Sequence, residues 1–120
     1  MARIVIVDDS LAIRAQLRAI LEEAGHEIVG EAADGEHAPE LVASVRPDLV
    51  TLDMVMPGRD GIATLRHLHL RQPGLRVVVC SASATERRVL EALRLGASDF
   101  VTKPFDPAKL LAAIDAALAS

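Results

Sequence analysis

The sequence contains little cysteine and few aromatic residues. Among its 120 residues there is one Cys, there are two Phe, and Trp and Tyr are absent. One cysteine excludes an internal disulfide and a zinc site built from several thiolates. Acidic residues outnumber basic ones by 17 to 13, which gives a net charge of −4 at pH 7. We therefore expect no direct binding to nucleic acid, because phosphate contacts require a clustered basic surface.

Long apolar runs are also missing. No run approaches the roughly 18–20 residues that cross a bilayer. The first residues lack the basic stretch and the apolar block of about 7–15 residues that are typical of a secretory signal. These absences predict a cytoplasmic protein with no membrane association. The apolar fraction of 51% and the charged fraction of 25% are typical of a folded chain, and the length predicts one domain over residues 1–120.

Short apolar runs alternate with helical patterns along the whole chain. Five runs rich in β-branched residues predict strands over 3–7, 27–32, 48–52, 75–80 and 98–102. Apolar residues at helical spacing follow each run, and N-caps are expected at Ser10, Thr85 and Asp106. Runs that are apolar throughout are typical of strands covered on both faces. Strict alternation therefore predicts a doubly wound α/β domain, with a parallel sheet flanked by five helices.

The spacing also predicts which helix residues pack inward. In the fourth helix these are Val89, Ala92, Leu93 and Gly96, and in the fifth they are Leu110, Leu111, Ile114 and Leu118. Cys80 lies inside the fourth strand and is expected to be buried as an apolar residue. The four histidines are expected to be peripheral, and His26 and His37 are expected to lack partners.

Polar side chains stand at the ends of four of the predicted strands. In a doubly wound sheet, ligands bind beyond the carboxyl ends of the strands, so these residues form the candidate site. They are Asp8 and Asp9 after the first strand, Asp53 after the third, Ser81 after the fourth, and Thr102, Lys103 and Pro104 at the end of the fifth. Three carboxylates, a hydroxyl and an ammonium group should therefore converge on one edge of the sheet.

This combination of groups indicates phosphoryl chemistry. Three ionised carboxylates a few ångströms apart repel one another unless a cation accompanies them. Carboxylate oxygens without histidine or cysteine favour Mg²⁺ or Mn²⁺ over zinc. Because Mg²⁺ normally takes one or two protein carboxylates, one aspartate is left to act as a nucleophile towards phosphorus. Lys103 and the cation would neutralise the phosphoryl oxygens, and the Ser81 hydroxyl would donate to one of them. The pattern predicts a phosphoaspartyl site.

Four sequence blocks carry these residues, and their order is specific. They are VDDS at 7–10, DMVMPGRDG at 53–61, SASA at 81–84 and GASDFVTKPF at 96–105. With these blocks at the ends of predicted strands, the sequence resembles the receiver domain of response regulators in two-component signalling, including the CheY-like single-domain regulators of chemotaxis. The resemblance covers essentially the whole chain. It implies a flavodoxin-like sheet of five parallel strands in the order 2-1-3-4-5.

The resemblance also implies a role for each residue of the predicted site. Asp53 would be the phosphoacceptor, which takes the phosphoryl group from the phosphohistidine of a sensor histidine kinase or a histidine phosphotransfer protein. Ser81 and Lys103 would bind the phosphoryl oxygens, and Lys103–Pro104 would be a cis peptide bond. The ligands of Mg²⁺ would be the carboxylates of Asp8, Asp9 and Asp53 and the backbone carbonyl of Val55.

The same resemblance implies a conformational switch. Ser81 would move towards the phosphoryl group, and Phe100 would turn inward. A downstream protein would then dock on the fourth helix, fifth strand and fifth helix of a monomer or a phosphorylation-dependent dimer. Three positions depart from the commonest family pattern, because Ser81 replaces Thr, Phe100 replaces Tyr, and Arg59 stands where an apolar residue is common. Val55 is apolar, which suggests slow autodephosphorylation. We expect the domain to transfer the phosphoryl group to itself and to act as a switch more than as an enzyme.

Several alternatives are compatible with parts of the sequence. Phe100 is also explained as ordinary core, Ser81 as a loop hydroxyl, and Asp8 as a charge at a helix N-terminus. A flavodoxin-like FMN protein is disfavoured because Asp8 and Asp9 would repel its phosphate. A haloacid-dehalogenase-type phosphatase is disfavoured because the first strand ends in adjacent aspartates and not in Asp-x-Asp. For the output there are two hypotheses, a complete single-domain regulator or the receiver of a longer regulator with a DNA-binding or enzymatic output domain.

Overall fold

The structure, a computed structural model, describes residues 1–56, 60–82 and 85–120, and this part contains five strands and five helices in alternation. The strands are β1 (Arg3–Val7), β2 (Glu27–Ala32), β3 (Leu49–Asp53), β4 (Arg76–Ser81) and β5 (Asp99–Thr102). The helices are α1 (Leu11–Glu23), α2 (Ala38–Val45), α3 (Gly61–Arg71), α4 (Glu86–Arg94) and α5 (Pro107–Ala119). Within the described ranges, no helix combines the length and the apolar content that a membrane crossing requires.

The five strands form one parallel sheet. Their order is β2-β1-β3-β4-β5, and every neighbouring pair is parallel. This arrangement confirms the predicted flavodoxin-like fold. β3 lies at the centre and all five of its residues are buried, as expected for a strand covered by helices on both faces. Each strand begins and ends within one residue of its predicted range.

Alternate residues of the sheet pack into two apolar layers. The layer beneath α2, α3 and α4 contains, from the sheet, Val5, Val7, Ala32, Val50, Leu52, Val77 and Val79. The layer beneath α1 and α5 contains, from the sheet, Ile4, Ile6, Leu49, Val78, Cys80 and Val101. Cys80 is 1% exposed, as predicted, and burial raises the pKa of its thiol to about 12. A thiol with such a pKa stays protonated, so Cys80 contributes packing and not chemistry.

Side-chain caps determine where four of the helices begin. Ser10, Thr85 and Asp106 accept hydrogen bonds from backbone N–H groups in the first turns of α1, α4 and α5, which confirms the three predicted caps. Asp60 caps α3 in the same way through the N–H of Ala63, 2.8 Å away. Each such cap typically stabilises its helix by about 1 kcal/mol.

The inward faces of α4 and α5 agree only in part with the predicted ones. In α4 only Ala92 is buried, whereas Leu93 is 44% exposed and Leu90 is 46% exposed. In α5, Leu110 and Ile114 are buried as predicted, but Ala113 and Ala117 are buried with them, and Leu111 and Leu118 are only half-buried. The two alanines let α5 lie close to the sheet, so Leu111 and Leu118 sit at the sides of its contact stripe. On α4 the buried stripe is narrow, and the two leucines remain on its outer surface.

The side chains of His26, His37 and His69 have partners, contrary to the sequence-based expectation for His26 and His37. The Nδ1 atom of His26 accepts a hydrogen bond from the N–H of Ala2 at 3.1 Å. His37 Nδ1 lies 2.8 Å from a carboxylate oxygen of Asp34. The ring of His69 in α3 has its Nδ1 2.9 Å from the Leu95 carbonyl and its Nε2 2.9 Å from the Leu75 carbonyl. His69 therefore connects α3 to the end of α4 and to the start of β4.

Thr51 in β3 generates a stability prediction. Its side chain is buried, and its hydroxyl has no hydrogen-bond partner in the described part of the chain. A buried hydroxyl without a partner costs about 1–3 kcal/mol, so Thr51→Val should raise the free energy of unfolding by about 1 kcal/mol. Urea unfolding measures this change, with the exposed Thr102→Val as the matched control. A lower free energy of unfolding for Thr51→Val would contradict the prediction.

Candidate functional site

The parallel register brings the polar ends of the strands to one edge of the sheet. Asp53 is the last residue of β3 and pairs with Cys80, the residue before Ser81. Ser81 ends β4 and pairs with Thr102, the last residue of β5. Asp8 follows β1, and the residue after β5 is Lys103. Asp53 and Ser81 thus belong to the strands that they were predicted to follow, a difference of one residue.

Three carboxylates converge at this edge. Asp8 is 1% exposed and Asp53 is 5% exposed, while Asp9 faces solvent. One carboxylate oxygen from each of the three residues lies within 4.8 Å of those of the other two. Such a set of hard oxygen donors, half buried and half open to water, fits a divalent cation that keeps several waters. We name Asp8, Asp9 and Asp53 the acidic cluster.

Lys103 provides the positive charge beside the acidic cluster. Its Nζ lies 2.7 Å from Asp8 Oδ2 and 3.5 Å from Asp53 Oδ1, and its side chain is 14% exposed. The N–H of Lys103 also donates to the carbonyl of Ser81 at 2.9 Å, and the peptide bond to Pro104 is cis. The ammonium group thus contacts two of the three carboxylates of the acidic cluster, so the cluster and Lys103 together carry an excess of negative charge.

The electrostatics of the site follow from burial and from this excess. Burial, together with the neighbouring carboxylate of Asp8, raises the pKa of Asp53, and the ammonium of Lys103 opposes the rise only in part. For Lys103, burial acts to lower the pKa, but the hydrogen bond to Asp8 and the charge of Asp53 outweigh it and the pKa is raised. Lys103 therefore stays charged at neutral pH, whereas the surroundings of Asp53 destabilise the ionised form of its carboxyl group.

Backbone contacts fix the orientation of the two buried aspartates. Asp8 Oδ1 accepts from the N–H of Ser10 at 2.9 Å, and Asp53 Oδ1 accepts from the N–H of Val55 at 3.3 Å. The Asp8 carbonyl accepts from Nη1 of Arg14 at 2.7 Å. Arg14 was not singled out from the sequence. Its position one helical turn after the Ser10 cap is the only signal that the sequence offers.

The two proposed switch residues lie on neighbouring strands at this edge. Ser81 is 1% exposed, and Phe100 is half-buried against the layer beneath α2, α3 and α4. Phe100 also lines a groove of about 470 Å³ along the edge strand β5, with Thr102, Pro104 and Lys109. Residues 57–59, which include Arg59, and residues 83–84 of the SASA block lie outside the described part of the chain.

The raised pKa of Asp53 generates a prediction for the metal-free protein. A carboxyl whose pKa is higher in the folded state than in the unfolded state ionises more readily on unfolding, so its contribution to stability is lost as pH rises through the carboxyl range. Asp53→Asn removes this loss. We expect this variant to be more stable than wild type at pH 7 in EDTA, with the difference shrinking below about pH 4.

Urea unfolding at the two pH values measures this difference. The matched control is Asp115→Asn, which removes one charge from an exposed position on α5. If Asp53→Asn is no more stable than wild type at pH 7, or if Asp115→Asn gains as much, the charge repulsion inferred for the acidic cluster is wrong.

Comparisons with known proteins agree with this geometry. A family model described as the response regulator receiver domain matches residues 4–115. Protein CcdB of Bacillus subtilis (strain 168) is 47% identical over 114 residues, which are 95% of either chain. The chemotaxis protein CheY of Thermotoga maritima is 38% identical over 113 residues, which are 94% of either chain.

A solved structure extends the likeness to three dimensions. The CheX-CheY-BeF3-Mg²⁺ complex from Borrelia burgdorferi contains a chain that is 38% identical to this one. The two superpose with a TM-score of 0.91 over 93% of this chain and 85% of that chain. Members of the matched family are phosphoacceptor switches and not enzymes in the usual sense. The chain belongs to the receiver domain family of response regulators and is a phosphorylation-activated switch of two-component signalling.

Proposed function

We propose that Asp53 is the phosphoacceptor of this receiver domain. The observation that supports this most directly is the placement of a buried carboxylate at the end of the central strand, with a second carboxylate and the ammonium of Lys103 beside it. The phosphoryl donor is the phosphohistidine of a sensor histidine kinase or a histidine phosphotransfer protein. An oxygen of Asp53 attacks phosphorus, the bond from phosphorus to the imidazole nitrogen breaks, and the imidazole leaves with that electron pair.

The residues present fit a magnesium ion as the cofactor. The carboxylates of Asp8, Asp9 and Asp53 and the backbone carbonyl of Val55 would hold it, because all are hard oxygen donors. When bound, the ion supplies positive charge that stabilises the phosphoryl oxygens in the transition state. In CheY of Borrelia burgdorferi, Mg²⁺ and BeF3 occur together in the complex with CheX, and we extend metal dependence to this chain.

Lys103 and Ser81 complete the proposed transfer. The Nζ of Lys103 is within 3.5 Å of Asp53 Oδ1, so it can pair with an oxygen of a phosphoryl group bound there. The Ser81 hydroxyl, at the end of the adjacent strand, donates to another oxygen. Since the domain itself provides these groups, we propose that it also transfers phosphate from small donors such as acetyl phosphate.

Phosphorylation would bias the domain between two conformations of its docking surface. New contacts of Ser81 and Lys103 with the phosphoryl group favour one state, and Phe100 turns inward with it. The partner surface comprises α4, β5 and α5, where Leu90 and Leu93 are exposed. We propose that a downstream protein docks on this surface of a monomer, or of a dimer that forms after phosphorylation. We place these events in the cytoplasm, where ATP-dependent kinases act.

Mass spectrometry of the intact protein tests the phosphoacceptor. Incubation of wild type with acetyl phosphate and Mg²⁺ should add one phosphoryl group of about 80 Da, and EDTA or the Asp53→Asn substitution should prevent the gain. Asp60→Asn is the matched control, because Asp60 lies near the same edge but caps α3. A gain that persists in Asp53→Asn would contradict the assignment.

The exposed, apolar side chain of Val55 generates a kinetic prediction. Val55 is 58% exposed two positions after Asp53, where a polar side chain could hold an attacking water. We expect the phosphoryl group, after removal of the donor, to be lost over minutes or longer, because hydrolysis lacks that help. Mass measurements at intervals give the rate. A half-life of seconds would show that slow autodephosphorylation is wrong.

A further inference from the structure

We propose that Arg14 is a positioning residue for the acidic cluster: its guanidinium group holds the backbone between Asp8 and Asp9, and Glu31 holds the guanidinium group in place. The inference rests on the proposed function, since it concerns how the chain shapes the site that is proposed to hold Mg²⁺. It assigns a role in that site to a residue of α1 that supplies no ligand itself.

The contacts of Arg14 fix its guanidinium group at two points. Its Nη1 donates to the carbonyl of Asp8 at 2.7 Å, and its Nε donates to Oε1 of Glu31 at 3.0 Å. The side chain of Arg14 is 15% exposed and that of Glu31 is 26% exposed, so neither group is a freely solvated charge. Because the guanidinium group is planar and rigid, two hydrogen bonds in different directions determine its orientation.

A second arginine of α1 fixes Glu31 in turn. Arg18 donates to Oε2 of Glu31 from Nε at 2.9 Å and from Nη2 at 2.6 Å, while its Nη1 lies 3.4 Å from Glu22. Each oxygen of Glu31 therefore has its own arginine partner. The network runs from Arg18 through Glu31 and Arg14 to the carbonyl of Asp8, and only Arg14 reaches the site.

The Asp8 carbonyl is the point at which this network acts on the cluster. That carbonyl belongs to the planar peptide unit that joins Asp8 to Asp9, so fixing it fixes the direction in which the chain enters Asp9. The side chain of Asp8 has its own partners in Ser10 and Lys103. Within the described residues, the exposed carboxylate of Asp9 has no hydrogen bond or ion pair, so its position depends on the backbone that Arg14 holds.

The positive charge of Arg14 opposes cation binding. A role in positioning and a purely electrostatic role therefore predict opposite effects of removing Arg14 on the affinity of the site for a cation. A positive charge near three carboxylates weakens the attraction of the site for a divalent cation. If Arg14 acted through charge alone, its removal would tighten binding. If it acts by holding the Asp8–Asp9 peptide, its removal weakens binding in spite of the charge change. The two explanations differ in sign.

Titration of the full chain with Mn²⁺, followed by electron paramagnetic resonance, reads out the site without any phosphorylation. Mn²⁺ takes the same oxygen ligands as Mg²⁺. We expect Arg14→Ala to weaken Mn²⁺ binding by about 10-fold, which is typical of the loss of an orienting contact outside the ligand set. The matched control is Arg18→Ala, which also removes one positive charge and one partner of Glu31 but leaves the Asp8 contact.

The expected result for Arg18→Ala is a clearly smaller weakening of Mn²⁺ binding than in Arg14→Ala, because Glu31 keeps its bond to Arg14 and the contact with the Asp8 carbonyl remains. The loss of thermal stability should be similar in the two variants. Arg14→Lys retains the charge and lacks the rigid two-point donor, so it should also bind Mn²⁺ more weakly and serves as the readout if Arg14→Ala does not fold. Equal or tighter binding by the folded Arg14 variants, or an equal weakening in Arg18→Ala, would overturn the proposal.

The same titration distinguishes failure of this inference from failure of the proposed function. If wild type does not bind Mn²⁺, the metal site of the proposed function is wrong, and the positioning role falls with it. If wild type binds Mn²⁺ and the Arg14 variants bind equally well, only the positioning role is overturned, and the phosphoacceptor proposal stands on its own test.

Discussion

Buried carboxylates at the edge of a sheet require a compensating charge, and in this domain Lys103 provides it from a distant part of the chain. Asp8 and Lys103 are 95 positions apart in sequence, and β3 and β4 lie between the strands that carry them. Their contact therefore connects one half of the sheet to the other across the end of the central strand. Leaving a buried charge without its partner typically costs about 3–5 kcal/mol, so the geometry of the site and the closure of the fold depend on the same ion pair.

The compensation of negative charge at this edge is incomplete. Ionised Asp53 is held unfavourably by burial and by the charge of Asp8, while the ammonium of Lys103 lies nearer to Asp8 than to Asp53. A ligand that brings positive charge to the acidic cluster would stabilise the folded protein, because it would bind the folded state and relieve this repulsion. Such conflict between stability and binding capacity is common at functional sites. The core beneath this edge is apolar and closely packed on both faces of the sheet. Its packing offsets the free energy that the repulsion between the carboxylates costs.

Much of the fold and of the site could be predicted because both depend on local pattern and on one topological rule. The range of β2 was predicted to the residue, and the caps at Ser10 and Thr85 needed only their side-chain type and position. Asp53 and Lys103 could be placed together because parallel strands all end at the same edge of a sheet.

Other features depend on tertiary packing that periodicity does not encode. The outward position of Leu93 depends on how α4 is rotated on the sheet, and the alanine stripe of α5 depends on how closely that helix approaches it. The contact of Arg14 with the Asp8 carbonyl joins a side chain to a main-chain oxygen, and the partners of His26 and His69 are backbone groups distant in sequence. Main-chain acceptors are present at every residue, so the sequence does not reveal which one a given side chain contacts.

The two contacts of His69 have a consequence for how α4 can move. Each ring nitrogen of His69 lies 2.9 Å from a backbone carbonyl oxygen, Nδ1 from that of Leu95 and Nε2 from that of Leu75. The backbone packs closely there, since a Cβ added at Gly96 would lie 2.9 Å from His69 Nδ1. The carboxyl end of α4 is thus anchored to α3 and β4, whereas its amino end begins at the exposed Thr85. Displacement of α4 would then be a rotation about a pivot at Leu95, and the largest movement would occur at the end nearest the aspartates.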